Sequence, residues 1–178
     1  MVDTAVRTSA PVAAGVEVAP SDARIDVESL ARQLLGTWPE ARLASRELAA
    51  KPEMQRIEGQ SMDDHRDRVF HQLKLLVENG QVHRAFPKRL CGADDHGGNI
   101  AGFEELVLAD PSLQIKSGVQ WGLFGAAILH LGTAPHHDAF LPGAMNLDIP
   151  GAFAMTETGH SSDVASIATT ATYDPETQ

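Results

Sequence analysis

The sequence is almost without cysteine: Cys91 is the only one in 178 residues. No internal disulfide can form, so the fold must rest on burial and hydrogen bonding, as in a reducing compartment. The expected location is cytoplasmic. Nothing around Cys91 in Leu90-Cys91-Gly92 would activate it as a nucleophile. Basic residues are also scarce, with 14 Lys and Arg against 24 Asp and Glu, a formal charge of −10. Nucleic acids and anionic membranes reward clustered Lys and Arg, so neither partner is expected. A small anionic ligand is not excluded, because turn amides and hydroxyls bind phosphate without net positive charge. Long apolar runs are missing too. The longest, Leu123 to Leu131, is interrupted by Gly125 and His130 and falls well short of the ~20 residues of a membrane span. The first residues lack the basic-then-apolar layout of a secretory signal. A soluble chain with no membrane span is the expectation.

What the chain does have is apolar content, 43% of its residues, and a length that can bury the core of one domain. Residues 1–24 are rich in Ala, Val, Thr, Ser and Pro without a period and read as a disordered leader. From Ile25 the spacing turns helical, with Val27, Leu30, Ala31, Leu34 and Leu35 on one stripe and Gly36 as a stop. Trp38-Pro39-Glu40 opens a second helix with proline in its tolerated first turn. Ser61 to Asn79 is the clearest helix, capped by Ser61, acidic in its first turn at Asp63 and Asp64, and followed by Gly80. Its inward stripe is Val69, Phe70, Leu73, Leu76 and Val77. Residues 82–98 read as loop, and Ile100 to Ala109 as a helix with Phe103, Leu106 and Val107 inward and Glu104 and Glu105 outward.

Ser112 to Leu131 is apolar around most of its circumference, which predicts a central helix. Gly118, Gly122 and Gly125 recur every three to four residues and suggest a face where another backbone approaches closely. A short helical stretch around His136 to Phe140 leads to Leu141-Pro142-Gly143. The period then changes: residues 151–156 and 164–173 alternate by two and predict strands. Helices followed by strands indicate separate units rather than an alternating α/β fold. Asp174-Pro175-Glu176-Thr177 has the order of a type I turn, and a hairpin built on it needs a returning strand. The expectation is an N-terminal portion of something larger.

Between the two strand patterns, Thr156 to Ser162 supplies the hydroxyls of Thr156, Thr158, Ser161 and Ser162, the flexible Gly159 and several amides. Such a turn can donate to a flat heterocycle and to a pyrophosphate. The run from Phe153 to Asp163, Phe-Ala-Met-Thr-Glu-Thr-Gly-His-Ser-Ser-Asp, resembles the flavin-binding signature of the acyl-CoA dehydrogenase and acyl-CoA oxidase superfamily. The oxidase branch is nearer, through Thr156 to His160 and the Thr-Thr-Ala-Thr-Tyr-Asp strand ending at Asp174. Lys116 to Gly125 and Leu131 to His137 look like the same branch. The resemblance covers about residues 80 to 178.

The resemblance implies a mainly α chain: residues 25–148 as the N-terminal helical domain of the acyl-CoA dehydrogenase/oxidase type, and residues 149–178 as the first strands of a truncated middle β domain. It implies FAD as cofactor and acyl-CoA as substrate. Thr156 would hydrogen-bond the flavin ring, Phe153 to Met155 would line it, and Gly159 would permit the turn. Ser162 would lie near the pyrophosphate and the thioester end of the substrate. Where this chain has Ser161 the family usually has glycine, so strain is expected there. Family members convert acyl-CoA to trans-2-enoyl-CoA. The proton goes to a glutamate, a hydride to the flavin, and in oxidases the electrons go on to oxygen, giving hydrogen peroxide. That glutamate belongs to the family's C-terminal domain, so no catalytic residue is assigned, and the chain alone is expected to be inactive.

Two other readings compete. His130, His136, His137 and Asp138, or Asp94-Asp95-His96, could suggest a metal site, but their spacing fits no established motif. The chain could instead be a noncatalytic interaction module or pseudoenzyme whose unpaired strands invite self-association, or association with chains that supply the missing domains.

Overall fold

The computed structural model of the chain describes residues 25–177. The leader expected over residues 1–24 lies outside the described residues. The chain divides into two units, Met1–Leu34 and Leu35–Gln178. Helix α1 (Val27–Leu35), which belongs to the first unit up to Leu34, begins after Asp26. The Asp26 carboxylate accepts from the amides of Glu28 and Ser29 at 3.1 and 3.2 Å, filling orphan donors of the first turn.

The second unit is helical. Helix α2 (Pro39–Ala49) carries proline in its first turn after Trp38, which takes up a left-handed backbone. Helix α3 (Met62–Glu78) starts where expected: Ser61 Oγ accepts from the Asp64 amide at 3.1 Å. Val69, Leu73 and Leu76 of α3 are buried, and Phe70 and Val77 pack partly buried against the same core. Met54, in the connection before α3, is fully buried. The connection is tied down by Gln72 Nε2 donating to the Met54 carbonyl (2.7 Å) and by Arg68 donating to the carbonyls of Pro52 and Gln55.

Residues 82–98 contain two short 3₁₀ turns, Val82–Ala85 and Lys88–Leu90. Helix α4 (His96–Glu105) then begins four residues earlier than the sequence pattern placed it. The cause is Asp95, whose carboxylate accepts from the Gly98 amide at 2.8 Å; a satisfied N-cap outweighs the poor helix propensity of Gly97-Gly98. A 3₁₀ turn, Leu106–Leu108, ends it and leaves Val107 exposed rather than inward. Glu105 also departs from expectation. It points inward, its side chain only 7% exposed, and is held by Arg46 Nε at 2.6 Å and Arg42 Nη1 at 3.1 Å. Burial pushes the Glu105 carboxyl upward, but these two guanidinium groups outweigh it and leave the net displacement downward. The bridge joins α2 to α4, which pack against each other.

One long helix follows: α5 (Pro111–Ser117), a π-helical stretch (Gly118–Gly125) and α6 (Ala126–Leu131). Asp110 caps α5. Its fully buried carboxylate accepts from the Ser112 amide at 2.8 Å and contacts His65 Nε2 of α3 at 2.7 Å. The glycines of this helix do not serve close backbone approach. A side chain at Gly118 would meet the Phe103 ring, one at Gly125 the Gln120 carbonyl of the same helix and the Phe86 ring, and one at Gly122 nothing.

Helix α7 (Ala134–Met145) is longer than expected and runs through Pro142. Leu141, Ala144 and Met145 on its inner face are buried, which offsets the helical bond that proline removes.

The strands expected at 151–156 and 164–173 are absent among the described residues. Glu157 and Ser161 form an isolated bridge, and Val164–Ser166 a 3₁₀ turn. A strand exists only through a partner, and alternation in the sequence supplies none. Asp174 does make its turn: its carboxylate accepts from the Glu176 amide and the Thr177 hydroxyl, both at 2.9 Å.

Candidate functional site

Two features of the second unit could bind a ligand. The first is a cavity of about 300 Å³ between α4, the end of α3 and the π-helical stretch. Its walls are apolar, from Leu76, Val82, Phe86, Phe103, Trp121 and Leu129, with Ser45, Asn99, Ser117 and His130 among the few polar groups. A volume at the lower end of small-molecule sites and such a lining suit an apolar ligand segment. This cavity has no counterpart among the expectations from sequence. Its signal was the glycine spacing: Gly118 and Gly122 line the cavity, so the missing side chains leave room rather than bringing a second backbone close.

The second feature is the segment after Gly151, which holds every residue expected to touch a cofactor. The core fixes where it starts. Gln120, 4% exposed, donates to the carbonyls of Ala144 and Ile149 at 3.0 Å each, and its Oε1 accepts from the Gly151 amide at 2.8 Å. Trp121 Nε1 adds a bond to the Ala144 carbonyl at 3.0 Å. Gly151 lies against Phe124 so closely that any side chain there would overlap the ring. Only glycine fits.

Beyond it, Phe153, Met155, Thr156, Gly159 and Ser162 are all exposed and fall within one ten-residue stretch; none lines the cavity. The turn is closed by Glu157 N to Ser161 O at 3.2 Å and Ser161 N to Glu157 O at 2.7 Å. The left-handed residue in it is Ser161, with φ 58°, and Gly159 has no positive φ. The strain expected from serine at a glycine position is therefore present at Ser161. The donor set, surface hydroxyls of Thr156, Thr158 and Ser162 with turn amides, fits a flavin edge and a pyrophosphate. These hydroxyls are exposed, and none of them lines the cavity.

Glu157 faces inward within this segment. Its carboxylate takes the Thr169 hydroxyl, the Ala168 amide (3.0 Å), His160 Nε2 (2.7 Å) and the Thr169 amide (2.9 Å). These donors hold its carboxyl down to about 2.

Two histidines of the metal reading, His136 and His137, have other partners. His136 Nδ1 contacts the Thr133 hydroxyl at 2.7 Å and accepts from the Thr133 amide at 3.1 Å in a helix-start box. His137 Nδ1 faces Arg89 Nη2 at 3.1 Å. His96 lies 3.5 Å from Asp94. Among the described residues no three His, Cys, Asp or Glu side chains converge, and no helix is long and apolar enough to cross a membrane.

No family model matches the chain, and no solved structure matches it. Among curated proteins, it is 42% identical over 126 residues, 71% of its length, to acyl-coenzyme A oxidase 2, peroxisomal, of Arabidopsis thaliana. It is 35% identical over 67% of its length to acyl-coenzyme A oxidase 3, peroxisomal, of the same plant, and 51% identical over 69 residues to an acyl-coenzyme A oxidase of Kluyveromyces lactis. The chain spans less than a fifth of these relatives, 18%, 17% and 9% of their lengths. Over the region it shares with them, the chain is a relative of the acyl-CoA oxidases.

Proposed function

We propose that this chain forms the acyl-facing and flavin-facing part of an FAD-dependent acyl-CoA oxidase, a β-oxidation enzyme that converts acyl-CoA to trans-2-enoyl-CoA and passes electrons to oxygen, giving hydrogen peroxide. The observation that carries this reading is the cluster of exposed hydroxyls from Thr156 to Ser162, in a chain 42% identical to an oxidase over most of its length. Residues 25–148 are the helical domain and residues 149–178 the flavin segment. When bound, FAD accepts a hydride from the carbon β to the thioester. Thr156 would donate its hydroxyl to the ring, the backbone of Phe153 to Met155 would line it, and Gly159 would leave the turn open to it. Ser162 would sit by the pyrophosphate and the thioester end. The apolar cavity is suited to the hydrocarbon end of an acyl group, where burial is favoured by about 25 cal/mol per Å².

No residue here is assigned as the base. Glu157 directly follows Thr156, and its lone pairs are taken by Thr169, Ala168 and His160. The 178 residues alone are therefore expected to form no enoyl-CoA. Titrating the purified chain with FAD, following flavin fluorescence, and then adding acyl-CoA tests both parts. Quenching without product is the expected result; absence of flavin binding rejects the flavin site, and measurable product rejects the inactivity.

A noncatalytic interaction module is the second reading, favoured by the exposure of Phe153, Met155, Val164, Ile167 and Tyr173. Cysteine usage points to the cytoplasm as compartment, whereas both plant relatives are named peroxisomal; fractionation of expressing cells decides between them.

A further inference from the structure

The segment 151–177 has no sheet to hold it, and its residues are mostly exposed. Two elements nevertheless give it shape. One is the turn closed between Glu157 and Ser161. The other is the Glu157 carboxylate, which reaches across eleven and twelve residues to the consecutive amides of Ala168 and Thr169 and to the Thr169 hydroxyl. On its other side it fixes His160 through Nε2, and that imidazole is only 13% exposed. An ionised carboxylate that gathers successive amides makes charge-assisted bonds, stronger than neutral ones.

We propose that Glu157 is a positioning residue: it latches Ala168 and Thr169 onto the 157–161 turn and so holds the hydroxyls of Thr156 and Ser162 in place before flavin arrives. The purpose of the latch rests on the flavin reading; its existence does not. Thr156 directly precedes Glu157, and Ser162 directly follows the 157–161 turn. Releasing Ala168 and Thr169 frees the loop between them and Ser162, and the lost order must then be recovered on binding. Glutamine at 157 fails on chemical grounds. All four partners meet the carboxylate as donors, and an amide nitrogen in place of one oxygen would set donor against donor. The depressed Glu157 carboxyl agrees with such an environment.

The test uses the 178-residue chain and its Glu157→Gln variant, first without flavin. In the unaltered chain the amides of Ala168 and Thr169 should exchange with deuterium at least tenfold more slowly than that of Thr172, and E157Q should erase the difference while exchange in α3 and α5 stays the same. Their amide proton shifts should titrate together with a midpoint below the ordinary carboxylate range, a signature that E157Q removes. FAD affinity should then fall at least tenfold in the variant. Equal exchange at the three amides, or protection that survives in E157Q, overturns the latch. Unchanged FAD affinity in E157Q overturns the positioning role. A protected latch in a chain that binds no FAD overturns that role together with the flavin reading.

Discussion

Ser161 holds a left-handed backbone, φ 58°, in the turn that carries the candidate flavin residues. For a residue with a side chain this region costs roughly 1–2 kcal/mol, part of which glycine returns as lost chain entropy. Ser161→Gly is therefore expected to steady the turn by about 1 kcal/mol net. The readout is local: hydrogen exchange at the Glu157 amide, which donates to the carbonyl of residue 161, should slow roughly fivefold, and unchanged or faster exchange argues against strain at this position. This strain was legible in the sequence, because serine stands where the resembled signature has glycine. The partners of Glu157 were not. A carboxylate's partners are set by where the chain returns, and Ala168 and Thr169 look like any other alanine and threonine until it does.

Among the elements, helix ends were the most legible, since caps are local chemistry. Ser61 and Pro39 mark α3 and α2 where the structure has them. Asp95 was equally available as a cap, yet Gly97-Gly98 after it argued for loop, and the cap prevailed. The strands were illegible for the opposite reason: alternation describes two faces, whereas a strand needs a neighbour's backbone, and residues 151–173 have none among the described residues. Gln120 shows how a polar residue in an apolar helix can organise its surroundings. It satisfies two carbonyls and the Gly151 amide. Gln120→Ala should leave the Ile149 carbonyl and the Gly151 amide without their partner, while Trp121 still serves the Ala144 carbonyl, and cost about 2 kcal/mol. A urea titration followed by helical circular dichroism should show a lower midpoint with an unchanged slope; an unmoved midpoint would mean that water replaces the side chain without loss.

At the scale of the whole molecule, two buried carboxylates join helices that are distant in sequence. Glu105 links α4 to α2 through Arg42 and Arg46, and Asp110 links α5 to α3 through His65. Burial pushes the Asp110 carboxyl upward, but bonds from His65 and the Ser112 amide outweigh it, and like Glu105 it lies below its ordinary range. A carboxylate with a depressed folded pKa adds stability that is complete above its unfolded value, about 4. That stability is lost as the pH falls through the lower folded value. Thermal midpoints should thus be flat in this respect above about pH 5 and fall steeply below about pH 4. Glu105→Gln and Asp110→Asn should each lower the midpoint at neutral pH and flatten the acid branch; melts from pH 7 to 2.5 read both, and an unchanged acid branch would assign the loss to other groups. The acidic composition foretold a protein rich in carboxylates, but not which of them the core would enclose.

The join at Gly151 links these scales. Because Gln120 grips its amide and the Phe124 ring leaves no space for a side chain, the path of the following residues is chosen inside the helical core before the first of them is reached. A change in that small steric gate would turn the whole hydroxyl-bearing segment to a new heading without altering one of its own atoms, so core packing and the setting of that segment are inherited together.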